Sequence, residues 1–154
     1  RVPFAIQWPS QVPAGIRYEH PVISLDIFAT AAELSNASPQ NPIDGVNLIP
    51  YLQGKEKNIP HQALFWRNHT AERFAIRTPD RKMIVQPNES FLFEIRQDIG
   101  EKNNVFIGRE KEVKKLEKQL NHWKKILQEP AFLGLEESKE YSKQHPDRFD
   151  FSNE

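Results

Sequence analysis

Cysteine is absent from the 154 residues, which excludes disulfides, thiolate metal sites and a cysteine nucleophile within them. Net charge is absent as well. The 21 Lys and Arg residues balance 21 Asp and Glu, so no strong field exists to attract nucleic acid or an anionic bilayer, and neither is expected as a partner. Any affinity for an anion must be local. No apolar run reaches the roughly 20 residues that a membrane helix needs. A chain of this length buries one modest core, or supplies a subdomain to a larger body.

The chain opens on an apolar strip, Val2-Pro3-Phe4-Ala5-Ile6-Gln7-Trp8, which reads as a strand with nothing before it to pair with. The expectation is that it is the back end of something larger, and that the exposed strand would promote self-association. Pro9 ends it, since proline lacks the amide donor of a central ladder. From Ser24, the residues Leu25, Phe28, Ala29 and Ala32 fall at helical spacing, which predicts a short amphipathic helix capped by the Ser24 hydroxyl. Residues 36 to 54 read as loop. They hold Pro39, Pro42 and Pro50, the turn dipeptide Asp44-Gly45, and a short apolar patch at Leu48, Ile49 and Leu52.

Four strand candidates follow at 63–67, 73–77, 82–85 and 91–95, rich in aromatic and β-branched residues and joined by short Asn, Asp, Pro or Ser segments. Connections this short predict antiparallel pairing. From Arg109 to Glu129, Val113, Leu116, Leu120, Trp123 and Leu127 recur at three- and four-residue steps and predict a long helix that Pro130 stops. Its stripe would cover the apolar face of the sheet. Its Lys and Glu residues are interleaved, as on a solvated face, and are not clustered as for a phosphate. The tail 130–154 is polar and reads as a surface segment.

In sequence order, Arg1-Val2-Pro3 with Trp8-Pro9 and Pro13-Ala14-Gly15, then Ser24-Leu25-Asp26-Ile27-Phe28-Ala29-Thr30, then Asp44-Gly45 through Gly54, resemble consecutive segments of the sulfatases. His61-Gln62-Ala63-Leu64-Phe65-Trp66-Arg67 resembles the first strand of that family's C-terminal sheet. Ala75-Ile76-Arg77 and Arg81-Lys82-Met83-Ile84 resemble its paired strands. Phe91 to Ile95 with Asp98, Glu101 and Asn104 is similar to its closing segment. Phe93-Glu94 stands where Tyr-Asp is commoner, and Ala29 where proline often precedes the threonine. The likeness extends over roughly Arg1 to Trp123.

This resemblance implies an α+β architecture: a small four-stranded antiparallel sheet covered by a long C-terminal helix, preceded by a strand and short helix that belong to a larger α/β domain. The implied division is 1–58 as the end of the catalytic α/β domain, 59–129 as the C-terminal subdomain, and 130–154 as surface tail. It also implies a chemistry, hydrolysis of a sulfate ester by a formylglycine hydrate on a divalent cation, calcium in many members. Formylglycine is made within a Cys/Ser-x-Pro-x-Arg motif, and this chain contains none. Nucleophile, metal ligands and catalytic histidine are therefore expected in an N-terminal catalytic domain, the implied partner of this region. No catalytic or metal residue is assigned here. The implied substrate is a sulfated small molecule or glycan, and the implied location periplasmic, secreted or lysosomal.

Such a subdomain lies beside the catalytic mouth, which makes His61, Arg67, Asn68 and His69, at the edge and tip of the first hairpin, the substrate-binding candidates. Arginine suits a sulfate because its planar fork donates two parallel hydrogen bonds. Asn, His and Thr at a hairpin tip are also ordinary turn chemistry. Asp26 and Asp44 lack a second carboxylate or His at ligand spacing, so helix-end bonding and a turn are the expected roles. Arg1 adjoins a segment that carries sulfate-gripping lysine in the family. The sequons at Asn36, Asn68 and Asn88 would matter only on a secretory route. Two other readings stay open: a non-catalytic interaction module, and the equivalent part of a related metal-dependent phosphodiesterase or phosphonate hydrolase.

Overall fold

The structure, a computed structural model, describes residues 2–68, 72–129, 143 and 144. Four strands form one antiparallel sheet in sequence order: β1 Leu64–Asn68, β2 Arg73–Arg77, β3 Arg81–Gln86 and β4 Glu89–Glu94. Register places Phe65 opposite Ile76, Ile76 opposite Met83, and Met83 opposite Leu92. These four side chains therefore share one face. Ile76, Met83 and Leu92 are fully buried, and each such side chain contributes about 1.5–3 kcal/mol through the surface it removes from water.

Helix α1 spans Leu25–Leu34, α2 Ile49–Leu52 and α3 Glu110–Lys124. Alternation puts Arg81 and Glu94 on the same sheet face as Met83 and Leu92. Arg81 reaches Glu94 at 3.1 Å and donates through Nε to Glu112 at 3.2 Å, while Arg109 donates to Glu94 at 3.2 Å. The start of α3 is thereby tied over that face, with Val113, Leu116 and Leu120 buried beneath it. The expected sheet-plus-helix unit is what the chain forms. The regular helix ends at Lys124, short of the expected Glu129, because the next amides bond three residues back and tighten the last turn.

The closing segment holds β4 from outside. Asn104 Oδ1 accepts the amides of Leu92 and Phe106, both at 3.0 Å, and its amide group donates to Ser90 O. Asp98 accepts the amides of Lys102 and Asn103, and those bonds, Asn103 first, hold its carboxyl below the usual carboxylate range. Glu101, in left-handed conformation, receives Lys82 Nζ at 2.6 Å.

Residues 2–7 form no ladder among the described residues, where the four strands pair only with one another. Two expectations change. Ser24 makes no side-chain cap bond; Asp26 instead reaches back three residues to the amide of Ile23. The loop 36–54 contains α2, begun by Pro50 in its first turn and by Asn47 Oδ1 accepting the Ile49 amide, and closed by Gly54 with φ 70°. Arg1 and the tail lie outside the described residues, apart from Lys143 and Gln144.

The chain separates into a compact unit through Asn121 and a second from His122, whose described part is the end of α3, residues up to Glu129, and the exposed pair Lys143 and Gln144.

Candidate functional site

Polar side chains converge where α1, the loop before α2 and the approach to β1 meet. Asp26 is fully buried. Its Oδ2 accepts the Ile23 amide at 2.9 Å, its Oδ1 the Val46 amide at 3.0 Å, and His61 Nε2 lies 2.8 and 3.0 Å from the two oxygens. An ionised carboxylate only accepts, so the His61 tautomer that fits carries its proton on Nε2. One turn further along α1, Thr30 Oγ1 accepts the Leu48 amide at 3.0 Å and donates to Val46 O at 3.5 Å. Both side chains face inward because four residues make about one helical turn.

Gly45 makes this docking possible. A Cβ there would stand 2.2 Å from Leu25 O and 2.6 Å from its carbonyl carbon, both backbone atoms that cannot turn aside. Residues 45–48 therefore lie against the first turns of α1 with no side chain between them at Gly45. Where a turn is expected at Asp44-Gly45, the chain only bends at Asp44, and Gly45 is there for a close backbone approach.

The candidates do not form one cluster. His61 is drawn inward to Asp26. Arg67 and Asn68 end β1, with Arg67 half-buried on the Phe65 face and Asn68 exposed on the other. Leu64 to Arg67 alone advances about 10 Å along the strand. His69 lies outside the described residues. Asn68 pairs with Arg73 across the hairpin, which adds an exposed guanidinium at the tip that the sequence reading passed over.

Chemically, the junction is a latch, since every side-chain oxygen of Asp26 and Thr30 is spent on holding three segments together. A hard cation needs several oxygens from one cluster. Among the described residues no three His, Cys, Asp or Glu side chains gather, and Asp26 is already filled by N–H donors. A divalent cation and formylglycine do not fit these residues, and no reaction step is assigned to them. Thr30 and the Asp26–His61 pair were not singled out as partners by sequence, since no spacing rule links residues 35 apart.

The family model described as "N-sulphoglucosamine sulphohydrolase, C-terminal" matches residues 1–129, and the chain belongs to this sulfatase C-terminal family. It is 40% identical over 67 residues to human steryl-sulfatase (Homo sapiens), covering 42% of this chain and 12% of that protein. The chain thus spans about an eighth of the length of the curated relatives it matches. Among solved structures, Ps i-CgsB superimposes with a TM-score of 0.70 at 27% identity, covering 94% of this chain and 33% of that one, and it has also been solved in complex with k-i-k-neocarrahexaose. A further structure, solved in complex with its substrate D-glucosamine-2-N,6-O-disulfate, matches with a TM-score of 0.53 at 25% identity over 65% of this chain and 23% of that one.

Proposed function

We propose that this chain is the C-terminal part of a sulfuric ester hydrolase acting on a sulfated saccharide, where it completes the fold and walls the substrate side of the cleft. The observation that carries this reading is the family match over residues 1–129, joined to a junction built for holding and not for reacting. The saccharide class is supported by the family description and by the sugar ligands of two structural relatives.

The proposed division of labour is as follows. An N-terminal catalytic domain supplies formylglycine, cation and general acid. The Asp26–His61 latch fixes α1 against the start of β1 and so positions the β1–β2 hairpin. Its tip, with Arg67, Asn68 and His69, meets the substrate away from the ester that breaks, and arginine there would grip a second sulfate or a carboxylate through parallel N–H bonds. His61 belongs to this site through the latch.

The test is sulfate release from a sulfated disaccharide, measured on a polypeptide that carries this chain after the sequence preceding it and, separately, on the 154 residues alone. Release by the longer protein only is the expected result. Release by the 154 residues alone would contradict the proposal, as would a longer protein that cleaves phosphonate esters and leaves sulfate esters intact.

A further inference from the structure

In chain order the lysines and glutamates of α3 alternate, which reads as a solvated face, but winding the helix sorts them by sign. At about 3.6 residues per turn, Lys111, Lys114, Lys115 and Lys118 fall within an arc of about 100°, opposite the buried Val113, Leu116 and Leu120. All four lysines are exposed, and no acidic residue enters the arc. Glu112 turns away to accept from Arg81, while Glu110 and the half-buried Glu117 stand on one flank. The result is a ridge of one sign, about 10 Å long, on a chain whose net charge is zero.

The ridge is not a surface that balances itself. Arg81, Lys82, Arg96 and Arg109 are each held by a carboxylate, whereas none of the four lysines has one within ion-pair distance among the described residues. They also repel one another. Lys111 is three and four residues from Lys114 and Lys115, and Lys118 is four and three from the same two, so each of these like-charge pairs weakens the helix slightly. We infer that this ridge binds the chain of a sulfated polysaccharide. The inference rests on the sulfatase reading above and adds to it a contact for sulfates beyond the hairpin tip, which makes the substrate a polymer. Ammonium groups on flexible stems act as point charges and tolerate irregular sulfate spacing, where the planar fork of arginine demands one geometry. Other polyanions fit less well. Over residues 111–118 the arc holds no apolar side chain to enter a bilayer and no aromatic ring on which a base could stack, and the apolar side of the helix is buried.

The test is the binding of fluorescent heparin fragments to the longer polypeptide, followed by anisotropy at one fixed salt concentration because exposed charges are screened. The ridge variant combines Lys111→Gln, Lys114→Gln, Lys115→Gln and Lys118→Gln, which keep helix propensity. A reference variant removes the same charge at scattered exposed positions, with Arg17→Gln, Lys55→Gln, Lys57→Gln and Lys102→Gln. The ridge variant should bind at least about tenfold more weakly, the sum of several modest exposed ion pairs, while the reference stays close to the parent protein. Arginine at the same four ridge positions should retain the affinity. Equal weakening in both glutamine variants would overturn the proposal, since net charge alone would then explain it, and so would a ridge variant that binds as the parent does. Duplex DNA or phosphatidylserine vesicles that bind more tightly than heparin, and lose that binding with the ridge, would assign it to another polyanion and overturn it too. Binding needs no turnover, so a ridge-dependent affinity in a protein that releases no sulfate upholds the polysaccharide site and removes only the activity reading.

Discussion

The sheet-and-helix half of the chain and the α1 half solve the same problem in opposite ways. In the first, Ile76, Met83 and Leu92 are buried on the face over which the start of α3 is tied, and charges stay at the margin, as in any domain that can bury its own apolar surface. In the second, a carboxylate and a hydroxyl are inside, while isoleucine, phenylalanine and leucine face out. The second is held in shape by directed bonds and leaves its apolar stripe exposed. The contrast teaches that the buried side of a helix is set by what it bonds to and not by hydrophobicity alone.

The largest effect is expected at the junction. Asp26→Ala strands the Ile23 and Val46 amides and the inward His61 ring, and each buried donor left without its acceptor costs about 1–3 kcal/mol, so the set costs about 3–5 kcal/mol. A denaturant titration that shows a loss below about 1 kcal/mol would mean that water replaces the carboxylate and that the latch is not what holds α1. Leu92→Ala breaks the other half by a different mechanism, an apolar cavity, at about 2–5 kcal/mol. Hydrogen exchange separates the two. Asp26→Ala should release α1 amides and spare β3, whereas Leu92→Ala should loosen β3 and β4 first.

How far these halves were legible in sequence follows the same line. The strands were readable because period-two alternation records a face covered by the chain itself, and the α3 stripe records the matching cover. Helical spacing also located α1 and grouped Leu25, Phe28, Ala29 and Ala32 on one apolar side, of which the alanines are buried and Leu25 and Phe28 exposed. Periodicity reports that a helix has an apolar side, not which neighbour that side meets. Asp26 and His61 stayed unlinked because a hydrogen bond across 35 residues leaves no local trace. Family resemblance placed Asp98, Glu101 and Asn104 in order without giving a reason for them. The reason is their bonds to Lys102, Lys82 and β4.

Smaller effects sharpen the picture of that closing segment. Asn104→Ala leaves the Leu92 and Phe106 amides without their acceptor and should cost about 1–3 kcal/mol, read as a lowered thermal midpoint with β4 the most affected strand. Asp98 gives the smallest effect and a pH signature. Its folded carboxyl lies below its unfolded value, so its contribution is present in full above the ordinary carboxylate range and fades as the pH falls through the folded value. Asp98→Asn should therefore be less stable than the parent chain at neutral pH and equal to it in strong acid. A difference that persists unchanged at low pH would show that the amide bonds to Asp98 carry no charge-dependent part.

The central claim is that this part of the molecule selects the substrate while the chemistry happens elsewhere, and Arg67 tests it most directly. In the longer polypeptide, steady-state kinetics of Arg67→Ala on a sulfated disaccharide should show KM raised about tenfold or more, the worth of a charged hydrogen bond, with kcat nearly unchanged. A collapse of kcat at constant KM would place this residue in the reaction itself and contradict the account.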